Sequence, residues 1–393
     1  MRFSARTAWD VAETRLARAL RERRARGLEI LDLTASNPTQ CGFIYDAAEI
    51  LRALQDSAAL VYDPDPRGML RARESVCAYY AERGAEVGRD FGPEQIFLTT
   101  STSEAYSWLF RLLCDAGDEV LIAQPSYPLF DFLAQIEDVR LVPYPLVYDD
   151  GWQVDFAGLR ERVTSRTRAI AVVHPNNPTG HFTKDAERRE LERICAEFGL
   201  ALVVDEVFLD YAMPECGTGS FATGEHPALT FVLSGISKIA ALPQMKAAWI
   251  AAFGPEPVLR PALARLEVIA DTFLSMNAPV QCALPEWLAG SGGIREQIRA
   301  RTRENLRKLD QTLLRFPAVT RLDVEAGWYA VLRVPALGSD EDLALRLVEE
   351  RGVSVHPGYF FGFAGDGWMV MSLLTQELEF GRGVEGICGM FGA

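Results

Sequence analysis

The 393-residue chain has no uninterrupted apolar run near the roughly 18 residues that a membrane-crossing helix requires, and no signal-type hydrophobic segment opens it. It also lacks any Cys-X-X-Cys pair. Its seven cysteines (41, 77, 114, 195, 216, 282 and 388) are an odd number, widely spaced and mostly set in apolar stretches. That distribution excludes a cysteine-built metal or redox site and predicts reduced core residues in a cytoplasmic protein, with no metal. An excess of positive charge is missing too. The formal charge is −14, with lysines and arginines scattered among acidic residues, which excludes a basic nucleic-acid-binding face. The Arg-rich amphipathic N-terminus has the composition of a transit peptide, but Asp10, Glu13 and Glu22 interrupt it, and a surface helix is expected instead. Internal repeats, low-complexity tracts and unstructured linkers are likewise absent.

What is present is the composition of a soluble globular protein, 49% hydrophobic and 24% charged, on a chain long enough for two domains. Between about 47 and 280, short β-branched runs alternate with helix-like periodic segments, the pattern of βαβ units and a mostly parallel sheet. Helices are expected over 69–84, 103–114, 128–136, 155–163 and 184–198. From 256 to 316 the pattern is helical, interrupted at Gly290, Gly292 and Gly293, as in a long linking helix. Short strands over 319–324, 328–334, 353–355 and 368–373 then flank helices near 340–351 and 376–391. The expected fold is α/β, with a three-layer α/β/α large domain over 46–280. A smaller α+β domain comes from 1–45 and 281–393.

Four apolar strands each run into chemistry-bearing residues: IFLT (96–99) into TSTSEAY, AIAVV (169–173) into HPNNPTG, ALVVD (201–205) into EVF, and TFVL (230–233) into SGISK. In an open α/β sheet, ligands bind beyond the carboxyl ends of the strands, so these segments should converge. Lys238, desolvated at the mouth of such a crevice, would have the lowered pKa that a Schiff-base nucleophile needs. Asp205 is delivered by a buried strand and suits a protonated pyridinium nitrogen. Asn177 could donate to a phenolate oxygen, and Ser101, Thr102 and Ser103 ring a helix start where a phosphate would sit. Read one at a time, these residues equally suit a surface lysine, a strand-end aspartate, a turn asparagine and a Ser103 N-cap.

Taken together and in order, the set resembles the fold-type I, pyridoxal-phosphate-dependent aminotransferases of class I/II, from about residue 30 onward. The resemblance implies a pyridoxal 5'-phosphate enzyme that moves an amino group between an amine or amino-acid donor and a keto acceptor. It implies an internal aldimine on Lys238, Asp205 on the pyridine nitrogen and Asn177 on the phenolic oxygen. Tyr127 would stack on the ring, and Tyr62 would cross to the partner's phosphate in a homodimer with shared active sites. Three positions depart from the family pattern. Lys246 replaces a phosphate-binding arginine, Phe208 a tyrosine on the phenolic oxygen, and Val370 the arginine that holds the substrate carboxylate; Tyr211 is nearby but out of register. Arg67, Arg333 and His356 are candidates for the missing cation, and Asn37 for a substrate contact. Lyase or oxidase chemistry on the same scaffold is the alternative, and a non-catalytic aminotransferase-like binding module a further one.

Overall fold

A computed structural model of the chain describes residues 2–88, 91–213 and 219–392, and the backbone but not the side chain of Leu129. Its main element is an eight-stranded sheet. From one edge the order is Ile96–Thr99, Ala248–Phe253, Thr230–Gly235, Ala201–Asp205, Thr167–Val173, Glu119–Gln124, Arg140–Tyr148 and Trp152–Val154. The five strands from Thr230–Gly235 to Arg140–Tyr148 pair in parallel. Ala201–Asp205 and Thr230–Gly235 are buried along their whole length, and Thr167–Val173 from Ala169 on, because helices cover both faces, which explains why they read as continuous apolar runs rather than alternating ones.

Ala248–Phe253 departs from the parallel pattern, lying antiparallel between Ile96–Thr99 and Thr230–Gly235. Arg140–Tyr148 carries Pro143 and Pro145 and sits near the far edge, where only the short Trp152–Val154 pairs its outer side. The expected helices form as Leu70–Ala81, Thr102–Leu113, Leu129–Ile136, Phe156–Glu161 and Asp185–Phe198.

The helical stretch after the sheet is three helices rather than a long one with a single interruption. Glu256–Phe273 ends where Leu274 turns left-handed at φ 43°, and Ala278–Ala289 and Gly292–Leu313 follow, separated at Gly290 and Ser291. A four-stranded antiparallel sheet lies beyond, in the order Thr320–Arg321, Tyr329–Arg333, Trp368–Ser372, His356–Pro357. Leu31–Asp32 pairs in parallel with Val353–Ser354. The N-terminal helix Arg15–Ala25 is tied to helix Asp340–Arg346 by Arg15 and Asp342 at 2.9 Å. Leu33, Leu309, Leu332, Met371 and Phe380 share a hydrophobic cluster distinct from those that line the large sheet.

Five of the six described cysteines are buried, the sixth half-buried, and all are free; Cys216 lies outside the described residues. Among the described residues no helix is long and apolar enough to cross a membrane.

Candidate active site

The carboxyl ends of the strands converge on a cavity of about 320 Å³. Asp205 closes its strand between Val173 and Leu233, so a buried strand end carries the carboxylate to the cavity floor. One of its oxygens accepts from the Val207 N–H at 3.1 Å, and the Tyr106 hydroxyl is within electrostatic reach without a hydrogen bond. Burial raises Asp205 to a pKa of about 6, against the lowering effect of that N–H, of Tyr106 and of Lys238.

Lys238 stands in the single helical turn Ile236–Ile239 that follows Thr230–Gly235. Its Nζ is 4.8 Å from the centre of the Trp328 ring and 5.5 Å from that of Phe208. Among the described residues it makes no hydrogen bond or ion pair. Ring faces and the Asp205 charge favour the ammonium, while burial favours the free amine. Burial wins, and the pKa falls to about 8.

The sequence TSTSEAY builds the opposite wall. Ser101, extended at φ −164°, caps helix Thr102–Leu113 by accepting from the Glu104 N–H at 3.2 Å, and Glu104 reaches back to the Thr100 N–H at 2.7 Å. The cap is therefore Ser101, not Ser103. Thr102 and Ser103 fall in the first helical turn, where their N–H groups have no intrahelical acceptor and their hydroxyls no partner among the described residues. Such donors at the positive end of a helix suit a phosphate. Lys246, left-handed at φ 55°, lines the same cavity and adds an exposed cation.

Asn177 and Tyr127 complete the lining. The Asn177 amide oxygen is fully buried and unpartnered, and its side-chain amide nitrogen makes no hydrogen bond among the described residues, so the amide is free to donate to a bound oxygen. Tyr127 leaves 43% of its surface open, so a flat face is free for stacking. An aldehyde-reactive amine, a buried carboxylate, an orphaned amide, an open aromatic face and a helix start with a lysine form a donor set that fits pyridoxal 5'-phosphate.

Several residues join this cavity without having been singled out: Ser36, Tyr106, Phe130 and Tyr329, with Trp328 beside the lysine. Tyr329 is buried, with Ser36 beside its hydroxyl, and its pKa is pushed up to about 12. Strand alternation in WYAVLR offered the signal, because Tyr329 and Arg333 lie on one face. The cavity end of that strand is the tyrosine's. Arg333 is four residues away, about 13 Å along the strand, where it donates to the Asp366 carbonyl at 2.7 Å and stacks on Trp368.

The other substrate candidates also lie outside the lining. Asn37 caps the turn Pro38–Gln40 by accepting from Thr39. His356 faces Val370 across the antiparallel pair and stacks on Phe360, and burial lowers its pKa so that it is neutral near pH 7. Arg67 is paired with Glu267. Val370 is fully buried and unable to reach out polar atoms. Among the described residues the cavity therefore has two cations, Lys238 and Lys246, and no guanidinium. Tyr62 is 83% exposed and lines a different cavity with Asp63 and Asp65. Phe208 is buried beside Lys238, and Tyr211 turns its hydroxyl onto the Lys238 carbonyl at 2.7 Å, so it anchors the lysine turn and leaves the cavity without a phenol there.

Residues 29–379 match the family described as aminotransferase class I and II. The chain is 27% identical to the glutamate-pyruvate aminotransferase AlaA of Escherichia coli over 272 residues, which is 69% of this chain and just under two thirds (66%) of that enzyme's length. It is 27% identical to an alanine aminotransferase of Mycobacterium tuberculosis over 371 residues, 92% of this chain and 85% of that one. Among solved structures, the alanine aminotransferase from Pyrococcus furiosus superposes with a TM-score of 0.89 at 22% identity, covering 99% of each chain, a likeness of fold. The chain belongs to the aminotransferase class I and II family, α/β proteins of fold type I that use pyridoxal 5'-phosphate to move amino groups.

Proposed function

We propose that this protein transfers an amino group from a small amino-acid donor to a keto-acid acceptor, with Lys238 as its Schiff-base lysine. The observation that carries the reading is the pairing, in one cavity, of a desolvated amine of pKa about 8 with a buried carboxylate of pKa about 6. Near pH 7 to 8 the carboxylate is charged and a useful fraction of the amine is neutral. The alanine and glutamate-pyruvate aminotransferases among the relatives support the donor class, and both are aminotransferases rather than lyases or oxidases.

In this reading Asp205 holds the proton on the ring nitrogen, and Asn177 donates to the phenolic oxygen. Tyr127 packs on the ring. Thr102, Ser103 and Lys246 hold the phosphate, with Ser101 fixing the helix start. Pyridoxal phosphate held there would supply an electron sink for the substrate's α-carbon. Lys238 would hold it through Nζ, the aldehyde oxygen leaving as water, and once displaced by the substrate amine would move the proton at that α-carbon. Phe208 offers no donor, so Asn177 alone meets the phenolic oxygen. With no guanidinium among the described lining residues, the substrate carboxylate would fall to neutral donors of the lining such as Tyr329 and Ser36.

Further parts of the reading rest on the resemblance and on composition. The chain works as a homodimer with Tyr62 reaching the partner's phosphate, and it works in the cytoplasm, in keeping with its free cysteines. Its domains are 46–280 and 1–45 with 281–393, in keeping with the separate hydrophobic cluster around Leu33 and Phe380.

The test is a single half-reaction. Mixing the holoenzyme with alanine or glutamate in the absence of acceptor should bleach the visible cofactor band and release one keto acid per site. Ammonia release without that bleaching would defeat amino transfer.

A further inference from the structure

A second concentration of charge lies apart from Lys238. There the end of helix Leu70–Ala81 meets the turn Leu209–Tyr211 and the start of helix Gly292–Leu313. At its centre Asp210 is buried. One carboxylate oxygen takes the Arg83 guanidinium and, at 3.3 Å, Arg295. The other accepts from the Tyr79 hydroxyl at 3.2 Å, and the Asp210 carbonyl accepts from Arg299 Nε at 2.8 Å.

Arg83 is used fully here. It also donates to the Tyr79 carbonyl at 2.7 Å and lies 3.6 Å over the Tyr79 ring. One such guanidinium neutralises one carboxylate, so among the described residues Arg295 and Arg299 are in excess. Gathering like charges around an already paired acid costs free energy unless something offsets it. Arg295 Nε is buried with no partner among the described residues, an orphaned donor of the kind native structures rarely keep. Among the described residues Arg299 makes one ion pair, with Glu296 at 3.9 Å.

Both side chains, with Arg83, line a cavity of about 290 Å³. Its other acid, Glu82, is 3.8 Å from Arg83 with 73% of its side chain exposed, so water screens it. Gly292, the first residue of a 22-residue helix, also lines the cavity and directs the positive end of the helix dipole toward it. A chain of formal charge −14 repels anions on average, which makes a local pocket of surplus guanidinium a specific feature rather than a share of a basic surface.

We propose that this cavity is an anion site, separate from the catalytic one, that binds a doubly charged oxyanion between Arg295 and Arg299. Inorganic phosphate and a short dicarboxylate share that chemistry. Both present the oxygen pairs that a guanidinium fork grips. The occupant would lie beside Asp210, whose neighbour Tyr211 holds the Lys238 carbonyl.

The experiment titrates phosphate-free holoenzyme, whose catalytic site already holds the cofactor's phosphate, with inorganic phosphate in one arm and succinate in the other, by calorimetry. The expected result is saturable binding of one anion per chain in at least one arm, weakened about tenfold or more in Arg299→Gln and by added NaCl. The tighter arm identifies the source. Arg299→Gln leaves the Asp210 carboxylate with Arg83 and Arg295, so it tests the site without removing the buried pair. Arg295→Lys, which keeps the charge but loses the fork, should weaken binding by a smaller factor. Absence of saturable binding in both arms, or affinity unchanged in Arg299→Gln, overturns the proposal; the second result would place the anion in the catalytic cavity.

Discussion

At the scale of single residues, the chemistry turns on what burial does to two ionisable groups. Both shifts run toward the neutral form, up for Asp205 and down for Lys238, because each loses more hydration than its neighbour returns. For the lysine the consequence is kinetic. With a pKa of about 8 instead of 10.5, about a quarter of the amine is neutral at pH 7.5 rather than roughly a thousandth. Reconstitution of cofactor-free enzyme with pyridoxal phosphate should therefore accelerate from pH 6 to about 8 and level off above it. Stopped-flow absorbance measures this directly; a rate still climbing between pH 9 and 10.5 would mean an unperturbed amine. The residues legible from sequence were those that end or closely follow apolar strands, Asp205 and Lys238 above all, since a strand's carboxyl end fixes where the chain delivers the side chains that come there or just after. Alternation in WYAVLR sets Tyr329 and Arg333 on one face of their strand, but whether that face meets the cavity, and where Ser36 lies, depends on how the smaller sheet packs, which no local pattern encodes.

At the scale of elements, the helix start at residues 101–104 separates two roles that sequence alone left merged. The Ser101 hydroxyl is occupied by the Glu104 N–H, whereas the Ser103 hydroxyl makes no bond within the described chain. Ser101→Ala should lower the stability of the cofactor-free protein by about 1 kcal/mol in urea denaturation. Ser103→Ala should leave that stability unchanged and weaken retention of the cofactor on dialysis. Equal effects of the two substitutions on stability would show that the cap is shared. The same scale shows why some elements were readable and others not. Helix boundaries agree within three residues where the apolar period is regular. The antiparallel strand Ala248–Phe253 is buried on both faces, so AWIAAF has the same composition that a parallel strand would have. The break after Phe273 uses a leucine in the left-handed region, with no glycine to announce it, whereas the break near Gly290 is visible in the sequence.

At the scale of the whole molecule, one cavity holds every proposed cofactor contact except Tyr62. That side chain is 83% exposed and follows Leu60 and Val61, which are also exposed, a contiguous apolar stretch that a monomer would leave in water. A two-fold interface would cover it and hand each Tyr62 to the opposite site, because an isologous contact exchanges the same residue both ways. The arrangement makes a strong demand on mixed dimers. Lys238→Ala removes the amine from its own chain, and Tyr62→Ala removes the phosphate contact from the other chain's site. In a heterodimer of the two, one site inherits both defects and the other neither. Co-expression with random pairing should then restore about a quarter of the native sites although each parent dimer is impaired. Amino-transfer activity of the co-purified dimer, set against that of each parent, measures this. If the mixture shows only the average of the parents, Tyr62 acts on its own chain or on none, and the shared-site arrangement fails while the assignment of Lys238 stands.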